Sequence, residues 1–161
     1  MRIPAGQSGR LILGSVLLAV LLLCGGCHTA TKSLFVASGP EWQVKEGQAL
    51  WRPRRGFPEL GGDLVFASDA QGRYFLQFAK TPMSLVSAQT TRTQWLIEFP
   101  PRGWSFSGHG KPPKRFAWLY LPAALAGEPL PKPMRFDHKP DGGWRLENTR
   151  SGETVEGFLG P

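Results

Sequence analysis

Residues 134–159, MRFDHKPDGGWRLENTRSGETVEGFL, restrict the fold more than any other part of the chain. Three short runs rich in apolar and β-branched residues, MRFDH, WRLENT and TVEGFL, are separated by KPDGG and RSGE. In a Pro-Asp-Gly turn, proline presets one φ angle and glycine accepts the positive φ that follows. Runs of five or six residues with tight turns between them form an antiparallel meander, and a meander needs an apolar layer on at least one face.

The same rhythm extends upstream. EGQALWR (46–52) precedes the irregular loop PRRGFPELGG, then DLVFAS (63–68) runs into the turn DAQGR. YFLQFA (74–79) is apolar on both faces apart from Gln77, and MSLVSAQ follows. In QWLIEF (94–99), Trp95, Ile97 and Phe99 alternate with Gln94, Leu96 and Glu98, which marks a strand with one strongly apolar face. Trp104 and Phe106 alternate with serines in the same way. One segment departs from this rhythm: PKRFAWLYLPAALA (113–126) reads as helical, bent or restarted at Pro122, with Gly127 as C-cap. The expected fold is mainly β. A curved antiparallel meander forms an open half-barrel, with a short helical segment packed on its concave face.

The N-terminus carries a different pattern. Residues 1–10 hold Arg2 and Arg10 and no acid, and residues 11–24 are apolar or small throughout. Fourteen such residues fall short of the roughly 20 that a spanning helix needs, and a positive segment before a short apolar one is the pattern of an export signal. LLLCGGCHTA then resembles a bacterial lipobox, with Gly25 and Gly26 before Cys27. This divides the chain into a lipoprotein signal peptide (1–26), a lipid-anchored tether (27–44) and a β domain (45–161). Cys27 would carry a covalent diacylglyceryl group and an N-acyl chain, and several acyl chains make a durable anchor. Cys24 would be lost with the signal, so the mature chain has no thiol and no disulfide framework. By analogy with lipoproteins, His28 rather than Asp after the cysteine points to the outer membrane, facing the periplasm, rather than the inner one.

Setting aside Arg2 and Arg10, the remaining 17 Lys and Arg against 12 acids leave a charge of about +5. The basic residues fall in small groups: Arg52, Arg54 and Arg55; Lys111, Lys114 and Arg115; Lys132, Arg135 and Lys139. An exported chain points these toward anionic lipid headgroups or an acidic partner and not toward nucleic acid. Catalysis finds little support. His28, His109 and His138 are far apart in sequence, no G-x-S-x-G or H-E-x-x-H occurs, and Glu147, Glu153 and Glu156 read as a solvated strand face. No metal or cofactor is implied, and the chain is read as a non-enzyme.

Eighteen Phe, Trp and Tyr are many for such a chain. They fill either a packed core or the lining of a lipid cavity. The stretches GQALW, WLIEFP followed by GHG, LPAALAGEPLP, WRLEN and GETVEGFL resemble, in order and character, the LolA/LolB group of bacterial lipoprotein carriers over residues 45–160. That resemblance implies a half-barrel that accepts the acyl chains of lipoproteins from a LolA-like periplasmic carrier and helps deliver them to the outer membrane. Strand alternation, with the helical aromatics opposite, makes Trp95, Ile97 and Phe99 with Trp104 and Phe106, and Trp118 and Leu119, the candidate lining of such a cavity. The resemblance also implies a membrane-contacting loop, for which Arg54, Arg55, Phe57 and Leu60 are the candidates. The alternative is a non-catalytic structural or adaptor lipoprotein with the same anchor and a filled core.

Overall fold

The computed structural model describes residues 33–160; Cys27, the signal segment and the first part of the tether lie outside the described residues. The chain divides into two units, Met1–Lys32 and Ser33–Pro161, and everything below concerns the second.

Nine antiparallel strands form one open, curved sheet. They are β1 (Gln43–Arg52), β2 (Leu60–Ser68), β3 (Tyr74–Lys80), β4 (Met83–Thr90), β5 (Gln94–Phe99), β6 (Trp104–His109), β7 (Met134–His138), β8 (Trp144–Asn148) and β9 (Glu153–Leu159). Their spatial order is β6-β5-β4-β3-β2-β1-β9-β8-β7. Two meanders, β1–β6 and β7–β9, are joined where the last strand pairs with the first.

The turns form as their residues dictate. In DAQGR the Asp69 carboxylate accepts the N–H groups of Gln71 (3.0 Å) and Arg73 (2.9 Å), and Gly72 takes φ +75°. In KPDGG, Gly142 takes φ +82° and donates its N–H to the Lys139 carbonyl at 3.1 Å.

Strand register sorts the side chains between two faces. Opposed residues share a face, so one inner row reads Phe66, Leu76, Ala88, Ile97, Phe106 and another Phe136, Leu146, Val155, Trp51, Leu60. The helical segment covers this face. It is a 3₁₀ turn at Ala117–Tyr120 followed by α1 (Leu121–Leu125). Trp118 is fully buried and lies against Phe78 (centroids 5.2 Å apart) and Trp51 (5.8 Å). Pro122 sits in the first turn of α1, where its missing N–H leaves no gap in the ladder. Gly127, at φ +72°, ends the helix: its N–H bonds to the Ala124 carbonyl and that of Glu128 to Ala123, a Schellman motif. The helix is shorter than residues 113–126. It starts only at Ala117, because Phe116 has extended backbone (φ −115°, ψ 98°).

The boundary between tether and domain also shifts. Residues 33–42, assigned to the tether, pack on the outer face. The outer row Val44, Ala67, Phe75, Gln89, Leu96 explains why YFLQFA carries apolar residues on both faces. The buried Gln89 side chain accepts the Leu34 N–H at 2.7 Å and donates to the Phe35 carbonyl at 3.1 Å. Phe35 stacks on Trp42 at 5.3 Å, with the Arg73 guanidinium over both rings. Gln89→Leu keeps the buried bulk and removes both bonds. Limited proteolysis should then cut residues 33–42 several-fold faster, with little change in the global unfolding midpoint. An unchanged cleavage rate would mean that the aromatic stack alone holds the segment.

Candidate functional site

Trp118 fills the middle of the inner face, but one end stays hollow. There the 53–59 loop, the hairpin between β5 and β6, and residues 115–116 enclose a pocket of about 470 Å³, within the usual range for small-molecule sites. Three local features shape it. The β5–β6 hairpin turns through a 3₁₀ turn, Pro100–Arg102, closed by Gly103 at φ +62°, and this brings Trp104 back opposite Phe99. Between β3 and β4 the register slips at Phe78 and Ala79 of β3, leaving Leu85 of β4 as the extra residue of a bulge, and Leu85 lines the pocket. The 53–59 loop is fixed by the Arg55 N–H, which donates to the Ser151 carbonyl at 3.2 Å.

The walls are aromatic. Trp51 stacks on Phe99 at 6.2 Å, and Phe116 lies 5.8 Å from Phe99 and 5.2 Å from Phe106. Trp104, at the rim, is 52% exposed.

One acid stands deep in this wall. Glu153, only 5% exposed, accepts the Trp51 indole N–H at 3.1 Å on one oxygen and the Ala117 backbone N–H at 3.0 Å on the other. Burial pushes its carboxyl up to about 7, against the pull of these two donors. No cation lies within ion-pair distance of it among the described residues. Its neighbour across the ladder, Asn148, donates to the Lys114 carbonyl at 2.8 Å. Asn148 and Glu153 thus grip the chain at residues 114 and 117, on either side of Arg115 and Phe116. Two polar side chains of the β8–β9 hairpin set that wall of the pocket.

Glu153 is therefore not part of a solvated face, and its position in the sequence explains why. It is two residues before Val155 and three before Glu156, so it shares the inner face with Val155 while Glu156 points outward. Strand parity was the available signal. Glu156 does face solvent, within 3.3 Å of Lys139 and 3.1 Å of Arg145.

The seven residues expected to line a cavity do not stay together. Phe99, Trp104 and Phe106 line the pocket. Ile97 and Trp118 are fully buried in the core, and Leu119 is buried nearer the opposite end of the sheet. The Trp95 ring lies over Gly108, where a Cβ would come within 2.7 Å of it. In the 53–59 loop and the start of β2, Phe57 and Leu60 line the pocket, and the Arg54 guanidinium sits 4.0 Å from the Phe57 ring centroid. Arg55 packs by its backbone against the β8–β9 turn. Trp51, Leu85, Phe116, Arg102, Arg115 and Glu153 join the site without having been singled out for it.

Two further hollows exist. A larger one, about 780 Å³, lies at the opposite end of the sheet, lined by Tyr74, Leu119, Tyr120, Pro122 and Leu130 together with Lys111 and Lys114. The other lies on the outer face along β1 and β9, where Gly61, Gly62 and Gly157 leave backbone bare. Neither holds a buried acid. Among the described residues no His, Cys, Asp and Glu side chains gather as a metal site, and no helix is long and apolar enough to cross a membrane. Compared with protein-family models and with curated proteins, the chain matches none.

Proposed function

We propose that this chain is a lipid-anchored envelope protein that takes acyl chains of lipids or lipoproteins into the pocket between Phe99, Phe106 and Phe116. In this reading it helps deliver them to the outer membrane, and Cys27 carries the anchoring lipid. The observation that carries the reading is an apolar, aromatic-walled pocket, with one buried acid in its wall, at the β5–β6 hairpin end of a sheet whose middle is filled by Trp118 and α1. Acyl burial there would be driven by removal of apolar surface from water, at roughly 25 cal/mol per Å². Phe57 and Trp104, apolar and exposed at the rim, give a chain a route in from a bilayer or from a LolA-like carrier. Binding and release need no bond chemistry, and no residue is assigned a catalytic part.

A specific feature favours a second reading. Trp118 and α1 fill the middle of the concavity, as in an adaptor lipoprotein whose interior serves only stability. Native mass spectrometry of the full protein, released from a nonionic sugar detergent, separates the two. Under the carrier reading, lipid or acyl mass stays bound beyond any covalent modification, and occupancy falls several-fold in Trp104→Ala and Phe106→Ala. A bare protein mass that takes up no added fatty acid would leave the adaptor reading in front.

A further inference from the structure

We propose that the ligand of this pocket is an anionic amphiphile, its carboxylate or phosphate head held at the mouth by Arg102 and Arg115 and its chain lying between Phe99 and Phe106. This rests on the acyl-pocket reading above and names the class of molecule the pocket takes.

Two separate segments bring a guanidinium to one opening. Arg102 ends the 3₁₀ turn between β5 and β6, and Arg115 precedes the helical segment; both line the pocket. Each is laid on an aromatic ring of the rim. Arg102 stands 4.9 Å from the Trp104 centroid, and Arg115 stands 5.0 Å from that of Phe106 and 4.7 Å from that of Phe116. A guanidinium over a ring face is held in place and partly stripped of water while its N–H edges stay free.

Neither cation has an acid to meet. The ion pairs among the described residues engage Arg52, Arg73, Arg135, Lys139 and Arg145, and leave Arg102 and Arg115 without a carboxylate within 4 Å. The one acid in the pocket, Glu153, already accepts two N–H groups, and its raised pKa keeps its charge low below neutrality. The mouth is therefore positive and unmatched, and the walls behind it are apolar. Planar guanidinium forks suit the paired oxygens of a carboxylate or phosphate, to which they bond in bidentate fashion. A fully uncharged ester would leave both forks unused, and a cationic head would be repelled. Asn148 and Glu153, which grip the chain around Arg115, place that fork before any ligand arrives, so little ordering remains to be done on binding.

The test uses the full chain in phosphatidylcholine nanodiscs at pH 6. Three photoactivatable probes share one diazirine-bearing chain: the free fatty acid, the lysophosphatidate and the uncharged monoacylglycerol. Cross-linked peptides are located by mass spectrometry. Both anionic probes, or one of them, should label the peptides carrying Phe99, Phe106 and Phe116 about tenfold more than the uncharged probe, and their ratio identifies the head. In Arg102→Gln/Arg115→Gln the anionic labelling should fall to the uncharged level. The uncharged labelling itself should not change, which also shows that the variant keeps its pocket. Equal labelling by all three probes in the unaltered chain, or an equal loss of all three in the variant, overturns the proposal and leaves the acyl pocket standing. Anionic labelling confined to Phe57 and Trp104 would mark contact with a charged membrane surface and overturns it too. No pocket labelling by any probe removes the acyl reading itself.

Discussion

Trp118→Ala should destabilise the protein by about 3–5 kcal/mol, whereas Trp104→Ala should cost less than about 1 kcal/mol. The two tryptophans are of equal size, and both belong to the cavity lining expected from the sequence. Their surroundings differ completely. Trp118 has no exposed surface and lies against Phe78 and Trp51 beneath the helical segment. Its removal opens a void in the centre of the core that the stiff strands beneath cannot close. Trp104 is half exposed on β6, an edge strand, and its ring meets the Arg102 guanidinium from the rim. Its loss removes one side of the pocket and little of the core. Urea unfolding midpoints of the two variants measure the difference directly. Equal destabilisation would mean that the hollow end is as tightly packed as the centre, and the pocket would then have no room for a chain.

The contrast between these residues marks how far the sequence could be read. Local signals were strong: QWLIEF gave β5 to the residue, the Pro-Asp-Gly turn gave the β7–β8 hairpin, and Gly127 gave the helix end. Alternation also put Trp95, Ile97, Phe99 and their partners on β6 on one face, as the register has it. Alternation decides a face, however, and not depth along it. Whether Ile97 meets a helix and Phe99 meets a void depends on where residues 113–126 cross the sheet. That crossing is set by Asn148 and Glu153, more than thirty residues downstream. The pairing of β9 with β1 is non-local in the same way, since nothing in either strand names the other. The docking of residues 33–42 was hidden for a further reason. A segment broken by Gly39 and Pro40 and placed between an anchor and the first strand reads as a linker, for all its Leu34, Phe35 and Trp42, unless the buried amide it satisfies, Gln89, is already known to face it.

Glu153 links these points. The chain could have placed an apolar residue on the inner face at the start of β9, where Val155 and Leu159 further along the same face are apolar. It holds instead a carboxylate that caps two otherwise unpartnered donors, the Trp51 indole and the Ala117 N–H. Losing this acceptor would leave both donors buried and unsatisfied, each costing about 1–3 kcal/mol. The same group fixes the wall that carries Arg115 and Phe116, so fold stability and pocket geometry depend on one side chain.

That dependence gives stability an unusual slope with pH. A carboxyl raised to about 7 in the folded protein, from near 4.5 when the chain is unfolded, binds its proton more tightly in the folded state. The contribution is complete below the unfolded value and is lost as pH rises through about 7, opposite to the behaviour of an ion-paired acid. Between pH 5 and 8.5 the loss amounts to about 2–3 kcal/mol, because each tenfold difference in proton affinity between the folded and unfolded chain is worth about 1.4 kcal/mol. Unfolding by urea at a series of pH values should show the midpoint falling across this range and levelling off above pH 8. In Glu153→Gln the slope should vanish, because the amide does not ionise. That variant should be less stable than the parent at pH 5, since its amide sets an NH2 donor against one of the two N–H groups where the protonated carboxyl keeps an oxygen, and should match or exceed it at pH 8.5. A parent protein whose midpoint is flat or rises from pH 5 to 8.5 would mean that Glu153 stays ionised in the fold. A cation or water would then reach it, and the pocket wall would be more open to solvent than its packing allows.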